Sequence, residues 1–295
     1  KDLSDGNPRL LEWLSKVLVA GGTDAEAILT AMAQQTDAFR ENILAETLLG
    51  QQSAEMRSFL SRGLVYELPV PRAAMVAVGT EAAPQQIDRA IALGLMEQTT
   101  DGSVRVPRVL PLVVPEAQEL AGLAARELYR LWWEEAERSS EAQRLEIHRL
   151  AIVGEEGAIA SEIAGRLAGI WKNRGRFREA VQLCKSTLEI TTDSLVVHQL
   201  ARSEESLGNV DSALKLYQQA LDICPDEEEK EKSAIIHNLA IVKANQGDVE
   251  GAIALYQQSL DIQEKIGNAQ GKAAALGEMA KLSARAGGVE GAIEL

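Results

Sequence analysis

The sequence predicts a mainly α-helical protein: a superhelical array of helix pairs, preceded by a small helical module that carries one β-hairpin. Three observations predict it. Four short strings recur between Glu162 and Leu295: Gly175-Arg-Phe-Arg-Glu-Ala180, Gly208-Asn-Val-Asp-Ser-Ala213, Gly247-Asp-Val-Glu-Gly-Ala252 and Gly287-Gly-Val-Glu-Gly-Ala292. Their alanines lie 33, 39 and 40 residues apart, a range in which helix pairs stack because no single pair can bury its apolar face alone. Seven of the eight prolines precede residue 116, so the front of the chain is a different and less regular module. The chain is 46% hydrophobic but only 4% aromatic, a balance that suits Ala/Leu-rich helices better than sheets.

The interior of each repeated unit agrees. Twelve residues before each alanine stands another small residue, Ala168, Ala201, Ala240 or Ala280, preceded by a large apolar one, Leu167, Leu200, Leu239 or Met279. Two crossing helices need a small residue where backbones approach and a large one beside it to fill the groove. After each alanine, Cys184, Tyr217 and Tyr256 stand at offset 4. Thr187, Ala220 and Ser259 stand at offset 7, and Leu188, Leu221 and Leu260 at offset 8. These offsets trace one helical face. Pro225 stops a second helix. This pattern resembles the tetratricopeptide repeat. It departs from that family where Ala164, Val197, Ile236 and Leu276 replace its first tryptophan.

The front of the chain divides in order. Asn7-Pro8 opens a helix with an apolar stripe of Leu10, Leu11, Leu14, Val17 and Leu18, ended by Gly21-Gly22. Thr23 and Glu26 form a capping box for a second helix. Phe39, Ile43, Leu44 and Leu48 stripe a third; Met56, Phe59 and Leu60 stripe a fourth after Ser53. Prolines bar helix from Val65 to Pro71, and short helices follow over Arg72–Val78 and Pro84–Leu93. Leu95–Gln98 and Val104–Val106 are strands joined across Asp101-Gly102, a hairpin signal. Three prolines over 107–115 form a joint. Leu120, Ala124, Leu128, Leu131 and Trp132 stripe a helix to about Arg138, and Ser140 with Gln143 caps the next. Trp132-Trp133 reads as packing, one ring inward and its neighbour part-covered. The segments are therefore 1–36, 37–112, 113–157 as a helical adaptor, and 158–295 as the repeat array, about three and a half repeats. The last string breaks off inside a helix, so the native chain is expected to continue past Leu295.

Helices followed by a small hairpin is the order of a winged helix. Gly6-Asn-Pro8 resembles the Gly-x-Pro motif that opens the helical lid of signal-transducing STAND-type ATPases, the class that includes NB-ARC and NACHT proteins. Phe39-Arg-Glu-Asn-Ile-Leu44, Pro69-Val-Pro-Arg-Ala73 and Leu93-Gly-Leu-Met-Glu97 sit where that family's winged-helix landmarks fall. The resemblance makes 1–36 lid-like and 37–112 winged-helix-like, and implies a nucleotide clamped by these parts against a phosphate-loop domain while the repeats sense a partner. It implies that Pro8 lies against the adenine; the alternative is that Pro8 simply starts a helix. Family members carry a histidine at the end of the hairpin, against the nucleotide phosphate. Here the place reads Val104-Arg-Val-Pro-Arg108, so Arg105 or Arg108 would supply that contact through a guanidinium; the alternative is a solvated arginine. ADP or ATP belongs to the full-length protein, and none is expected in these residues alone.

No phosphate loop of the form Gly-x4-Gly-Lys-Ser/Thr occurs. Gly267-Asn-Ala-Gln-Gly-Lys-Ala273 has three residues between its glycines and an alanine where magnesium needs a hydroxyl. No catalytic residue is therefore assigned, and a hydrolytic core is expected upstream of Lys1. His198 and His237 fall on first helices of the pairs, on the face that usually lines the groove of such arrays; with Arg202, Glu205, Asn245 and Lys281 they are the candidate partner-binding groove. Mixed charge there suits a protein or peptide. Two separated imidazoles make no metal site. Cys184 and Cys224 offer no disulfide framework or zinc spacing and are expected as buried free thiols.

Net charge is −14, which argues against non-specific nucleic-acid binding and an anionic membrane surface. No signal peptide or bilayer-length apolar run is present, and a cytoplasmic location fits. The expected role is the regulatory and sensor portion of a STAND-type ATPase, non-enzymatic in these residues, with self-association a property of the full-length protein. A stand-alone repeat scaffold is the alternative. A winged-helix transcription regulator ranks lower: over residues 84–112 Arg89, Arg105 and Arg108 only balance Asp88, Glu97 and Asp101, whereas a DNA-reading element carries a basic surplus.

Overall fold

The computed structural model describes residues 8–19, 25–33, 37–80, 82–114 and 117–285. Gly6, Asn7, Thr23 and the fourth repeated string lie outside them. Among the described residues the protein is helical apart from one two-stranded sheet. It divides into two compact units, Lys1–Glu156 and Gly157–Leu295.

In the first unit, α1 (Pro8–Val19) buries Leu10, Trp13 and Val17. The inward stripe is thus shifted from the one expected. Leu11 and Leu18 are exposed, at 42% and 43%, because they lie one residue, about 100°, around the helix from Leu10 and Val17. α2 (Ala25–Ala33) and α1 both pack on α3 (Asp37–Gly50). In α3, Leu44 and Leu48 are buried as expected; the side chain of Phe39 lies outside the described residues. Ser53 caps α4 (Ala54–Gly63), accepting from the Met56 N–H at 3.2 Å. Met56, Phe59 and Leu60 form its buried face.

α5 (Arg72–Val78) and α6 (Ala83–Ala92) follow, then β1 (Glu97–Gln98) and β2 (Val104–Arg105), antiparallel with Glu97 opposite Arg105. The strands are shorter than expected. Val70, between Pro69 and Pro71, adds a third element to the sheet. Its N–H and C=O exchange bonds of 2.9 and 2.8 Å with Val104. The turn is built as Asp101-Gly102 predicts: Gly102 has φ +85°, and the Asp101 carboxylate accepts from the Thr99 hydroxyl, and from the Ser103 N–H at 3.2 Å. Those bonds hold the Asp101 carboxyl below its usual pKa.

α7 (Ala117–Tyr129) does not run on as α-helix to Arg138. Its last turn, Arg130–Glu134, is π-helical, closed by the Glu135 N–H to the Arg130 carbonyl at 3.0 Å. The wider turn buries Trp132 and lets Trp133 stack on Tyr129, ring centroids 6.4 Å apart, under the Arg144 guanidinium at 5.4 Å. α8 (Glu141–Val153) carries the expected capping box, with Gln143 N–H to the Ser140 hydroxyl at 3.2 Å and Ser140 N–H to the Gln143 side chain at 2.8 Å. Gly154, the C-cap of α8, meets α7 at Gly122, so closely that a Cβ on Gly154 would stand 2.4 Å from the Gly122 nitrogen. Buried Glu146 of α8 pairs with Arg149 at 2.9 Å. It also accepts the Glu67 N–H at 2.7 Å while Arg149 donates to the Val65 carbonyl at 2.7 Å.

The second unit is a solenoid of tetratricopeptide-type helix pairs: α9 (Gly157–Asn173) with α10 (Phe177–Leu188), α11 (Ser194–Ser206) with α12 (Val210–Ile223), and α13 (Glu229–Asn245) with α14 (Val249–Lys265), followed by α15 (Ala269–Arg285). The register read from the sequence is the packing register. Ala168, Ala201 and Ala240, and Ala180, Ala213 and Ala252, are fully buried, with Cys184, Tyr217 and Tyr256 beside them. The repeated glycines Gly175, Gly208 and Gly247 take φ of +75°, +85° and +89°, the left-handed conformation that glycine adopts without a Cβ penalty. Ser233 and Ser259 lock α13 to α14 with a 2.8 Å hydroxyl–hydroxyl bond, and Gln263 donates to Ser233 at 2.6 Å.

Candidate functional site

In the first unit a cleft of about 300 Å³ is lined by Arg9, Glu67, Glu97, Arg105, Pro107, Arg108 and Val109. Three parts of the chain form it: the first turn of α1, Glu67 between α4 and α5, and the hairpin with the residues that follow it. Arg9 comes from the first turn of α1, which is anchored by the Trp13 indole N–H donating to the Gly94 carbonyl at 2.9 Å. Glu97 and Arg105 face each other across the hairpin by register. Arg108 follows β2 past Pro107. Glu97 is held from two sides: Arg9 donates to its Oε1, and the Arg105 Nε donates to its Oε2 at 3.1 Å. Arg108 reaches the carbonyls of Leu64 and Tyr66, each at 3.4 Å, and lies 3.8 Å from Glu67. The side chains of Arg105 and Arg108 stay 43% and 57% exposed, open to an anion from solvent.

Of the residues chosen from sequence, Arg105 and Arg108 thus line one cleft. Pro8 is exposed on α1 and is not part of the lining. Arg9 and Glu97 line the same cleft without being among the residues that the sequence singles out. Glu97 was reachable, since pairing outward from Asp101-Gly102 sets it opposite Arg105. Arg9 carries no local signal, because 88 positions separate it from Glu97.

In the second unit the first helices adjoin, α9 on α11 and α11 on α13. His198 is only 3% exposed. Its Nδ1 meets Glu231 at 2.6 Å and its Nε2 meets Asn238 at 2.7 Å, so both ring nitrogens bond within the repeats rather than face outward. His237 is half-buried, edge-on to Tyr256 with centroids 5.3 Å apart. Burial lowers its pKa, and Glu278 opposes the shift. Arg202 donates to Gln199 at 3.1 Å, and Glu205 accepts the Tyr217 hydroxyl at 2.7 Å. Half-buried Lys172 belongs with them: burial and then the Arg202 charge lower its pKa, while Glu205 raises it. Asn245 and Lys281 are exposed, Lys281 pairing with Glu278 at 2.7 Å. Of these groups, the charges of Arg202 and Glu205 are the two that act on Lys172.

Cys184 and Cys224 are buried free thiols; burial pushes the Cys184 thiol up to about 12, which keeps it from acting as a thiolate. Among the described residues no cluster of three His, Cys, Asp or Glu side chains is placed to hold a metal, and no helix is long and apolar enough to cross a membrane.

Family models of the tetratricopeptide repeat match residues 196–231 and 233–266. No curated protein matches the sequence. Among solved structures, the chain is similar to a Signal Transduction ATPase with Numerous Domains (STAND) protein with a tetratricopeptide repeat sensor from Pyrococcus horikoshii. The identity is 14% and the TM-score 0.41, over 99% of this chain and 54% of that one. It is also similar to aspartyl phosphate phosphatase F from Bacillus subtilis, at 13% identity and TM-score 0.47 over 97% and 71% of the two chains. BtubC (BKLC) from P. vanneervenii matches at 17% identity and TM-score 0.47 over 82% and 88%. The chain thus spans about half the length of the STAND protein.

Proposed function

We propose that this chain is the regulatory and sensor portion of a STAND-type signalling ATPase. Tetratricopeptide repeats make the second unit a protein-interaction scaffold. On the fuller reading, the first helices of the repeats take a protein or peptide partner, with Lys172, Arg202 and Glu205 as the polar contacts. The first unit contacts ADP or ATP held mainly by a phosphate-loop domain of the full-length cytoplasmic protein. Pro8 then lies against the base, and Arg105 and Arg108 against the phosphates. Self-association belongs to the nucleotide-bound full-length protein. No catalytic residue is assigned within Lys1–Leu295.

The observation that carries this reading is the cleft itself. It draws Arg9 from the lid-like helix and Arg105 and Arg108 from the hairpin, in the order that the Gly-x-Pro and winged-helix resemblance implies. Guanidinium groups pair with phosphate through two donors at once. The test is the ADP affinity of the full-length protein. Arg105→Ala should weaken it about tenfold, the loss of one charge-assisted contact. An unchanged affinity would remove Arg105 from the nucleotide contact, and no ADP binding by the full-length protein would leave a scaffold without a nucleotide switch.

That second reading has its own support: Arg108 already bonds two backbone carbonyls and Arg105 a carboxylate. In a plain scaffold these contacts would simply brace the hairpin.

A further inference from the structure

We propose that Glu97 is an internal ligand of the cleft: its carboxylate occupies the place between Arg9 and Arg105 that a phosphate group takes, and it sets the affinity for that group by competing with it. The proposal deepens the phosphate contact in the reading above and rests on it, while adding Arg9 as a third anion-binding residue and Glu97 as the residue that tunes the site.

The geometry is that of a filled anion site. Glu97 has one oxygen toward Arg9 and the other toward Arg105, the two-sided grip that guanidinium forks give a carboxylate or a phosphate. Both donors come from elements that are held in place without it. α1 is anchored by Trp13 on Gly94, and β2 by its pairing with β1 and with Val70. The Arg9 guanidinium also lies over the Trp13 ring, 5.9 Å from its centroid, so removing the carboxylate leaves two guanidiniums on either side of the place that it held. Arg108 lines the same cleft but bonds carbonyls and sits near Glu67 instead. A one-charge carboxylate leaves that third cation out; a diphosphate, with more charge and more oxygens, engages it. The cleft, about 300 Å³, lies at the small end of ligand sites and suits phosphate groups rather than a whole nucleotide.

The lining holds three arginines and two glutamates, and the two glutamates stand differently. Glu97 is gripped between Arg9 and Arg105, with its side chain 29% exposed. Glu67 is 52% exposed, and its carboxylate touches Arg108 and Arg149 only at 3.8 and 3.7 Å. Neutralising either removes the same charge from the cleft, but only Glu97 vacates the binding place.

The experiment is calorimetric titration of the whole chain with inorganic pyrophosphate at fixed ionic strength. Glu97→Gln keeps the side-chain volume and should bind at least about tenfold more tightly than the unaltered chain; Glu67→Gln should gain less than about threefold. Adding Arg9→Ala to Glu97→Gln should cancel most of the gain, and circular dichroism checks that each variant keeps its helices. Equal gains from the two glutamine variants would reduce the effect to net charge and overturn the proposal. No gain, or no binding, in a folded Glu97→Gln chain would overturn it too. Because the probe is pyrophosphate alone, this outcome is separate from whether the full-length protein binds ADP.

Discussion

The second unit solves one packing problem three times with the same residue, while the first unit solves each of its problems once. Where the helices of a repeat cross, Ala168, Ala201 and Ala240 stand at one register, all fully buried. Where the C-terminal cap of α8 meets α7, the backbones come so close that even alanine is excluded at position 154. The repeats bury aromatic rings at a fixed offset, Tyr217 and Tyr256. The first unit sets a buried carboxylate and imidazole side by side on one helix, Glu146 against Arg149 and His148 next to it on α8, whereas the buried imidazole of the repeats, His198, is taken up by the next helix pair. A repeated solution averages its demands and tolerates variation between copies. A single one concentrates them on a few atoms, and the first unit should therefore break more sharply.

Gly154→Ala should cost the first unit about 3 kcal/mol, the upper end for a contact forced into packed backbone. It should appear as a lower thermal midpoint for that unit; a shift near zero would mean that α7 and α8 part easily. The next effect is a dependence on acid. Burial lowers the His148 pKa to about 4, below the unfolded value of about 6.5. The unfolded chain then binds the proton first, so the contribution is present above about pH 6.5 and is lost as pH falls toward 4. Between pH 7 and pH 5 this removes about 2 kcal/mol. Unfolding curves at the two pH values, compared with those of His148→Gln, measure it; equal slopes would show that other groups set the acid response. The smallest effect falls in the repeats. Gly208→Ala should cost about 1 kcal/mol, a φ penalty alone, because no atom lies within 4 Å of the added Cβ. A loss as large as that from Gly154→Ala would erase the contrast between the units.

The repeats were legible because their signal is register. The Gly and Ala spacing names the positive-φ glycines and the buried alanines at once. Local chemistry served equally well at the Asp101-Gly102 turn and the Ser140–Gln143 capping box. Contacts made at a distance were not legible. Arg9 reaches Glu97 only because Trp13 seats α1 on the Gly94 carbonyl, and no spacing encodes that. His198 falls on the expected helix, yet Glu231 and Asn238, 33 and 40 positions on, take up its ring from the next pair. Its face was readable from one repeat, and its burial only from two. The π-helical turn escaped because Leu128, Leu131 and Trp132 fit an α-helical stripe equally well, and the extra residue per turn shows only once Trp133 is seen against Tyr129.

The two prolines around Val70 also decide how this molecule meets other chains. In an antiparallel strand successive residues aim their backbone groups to opposite sides. Val70 aims both of its own at Val104, so the outward-facing places belong to Pro69 and Pro71, and neither has an N–H to offer. A growing β-aggregate, or a partner's extended segment, therefore finds no donors along this edge. On this side the sheet stops at its third element, and this edge is closed to recruitment.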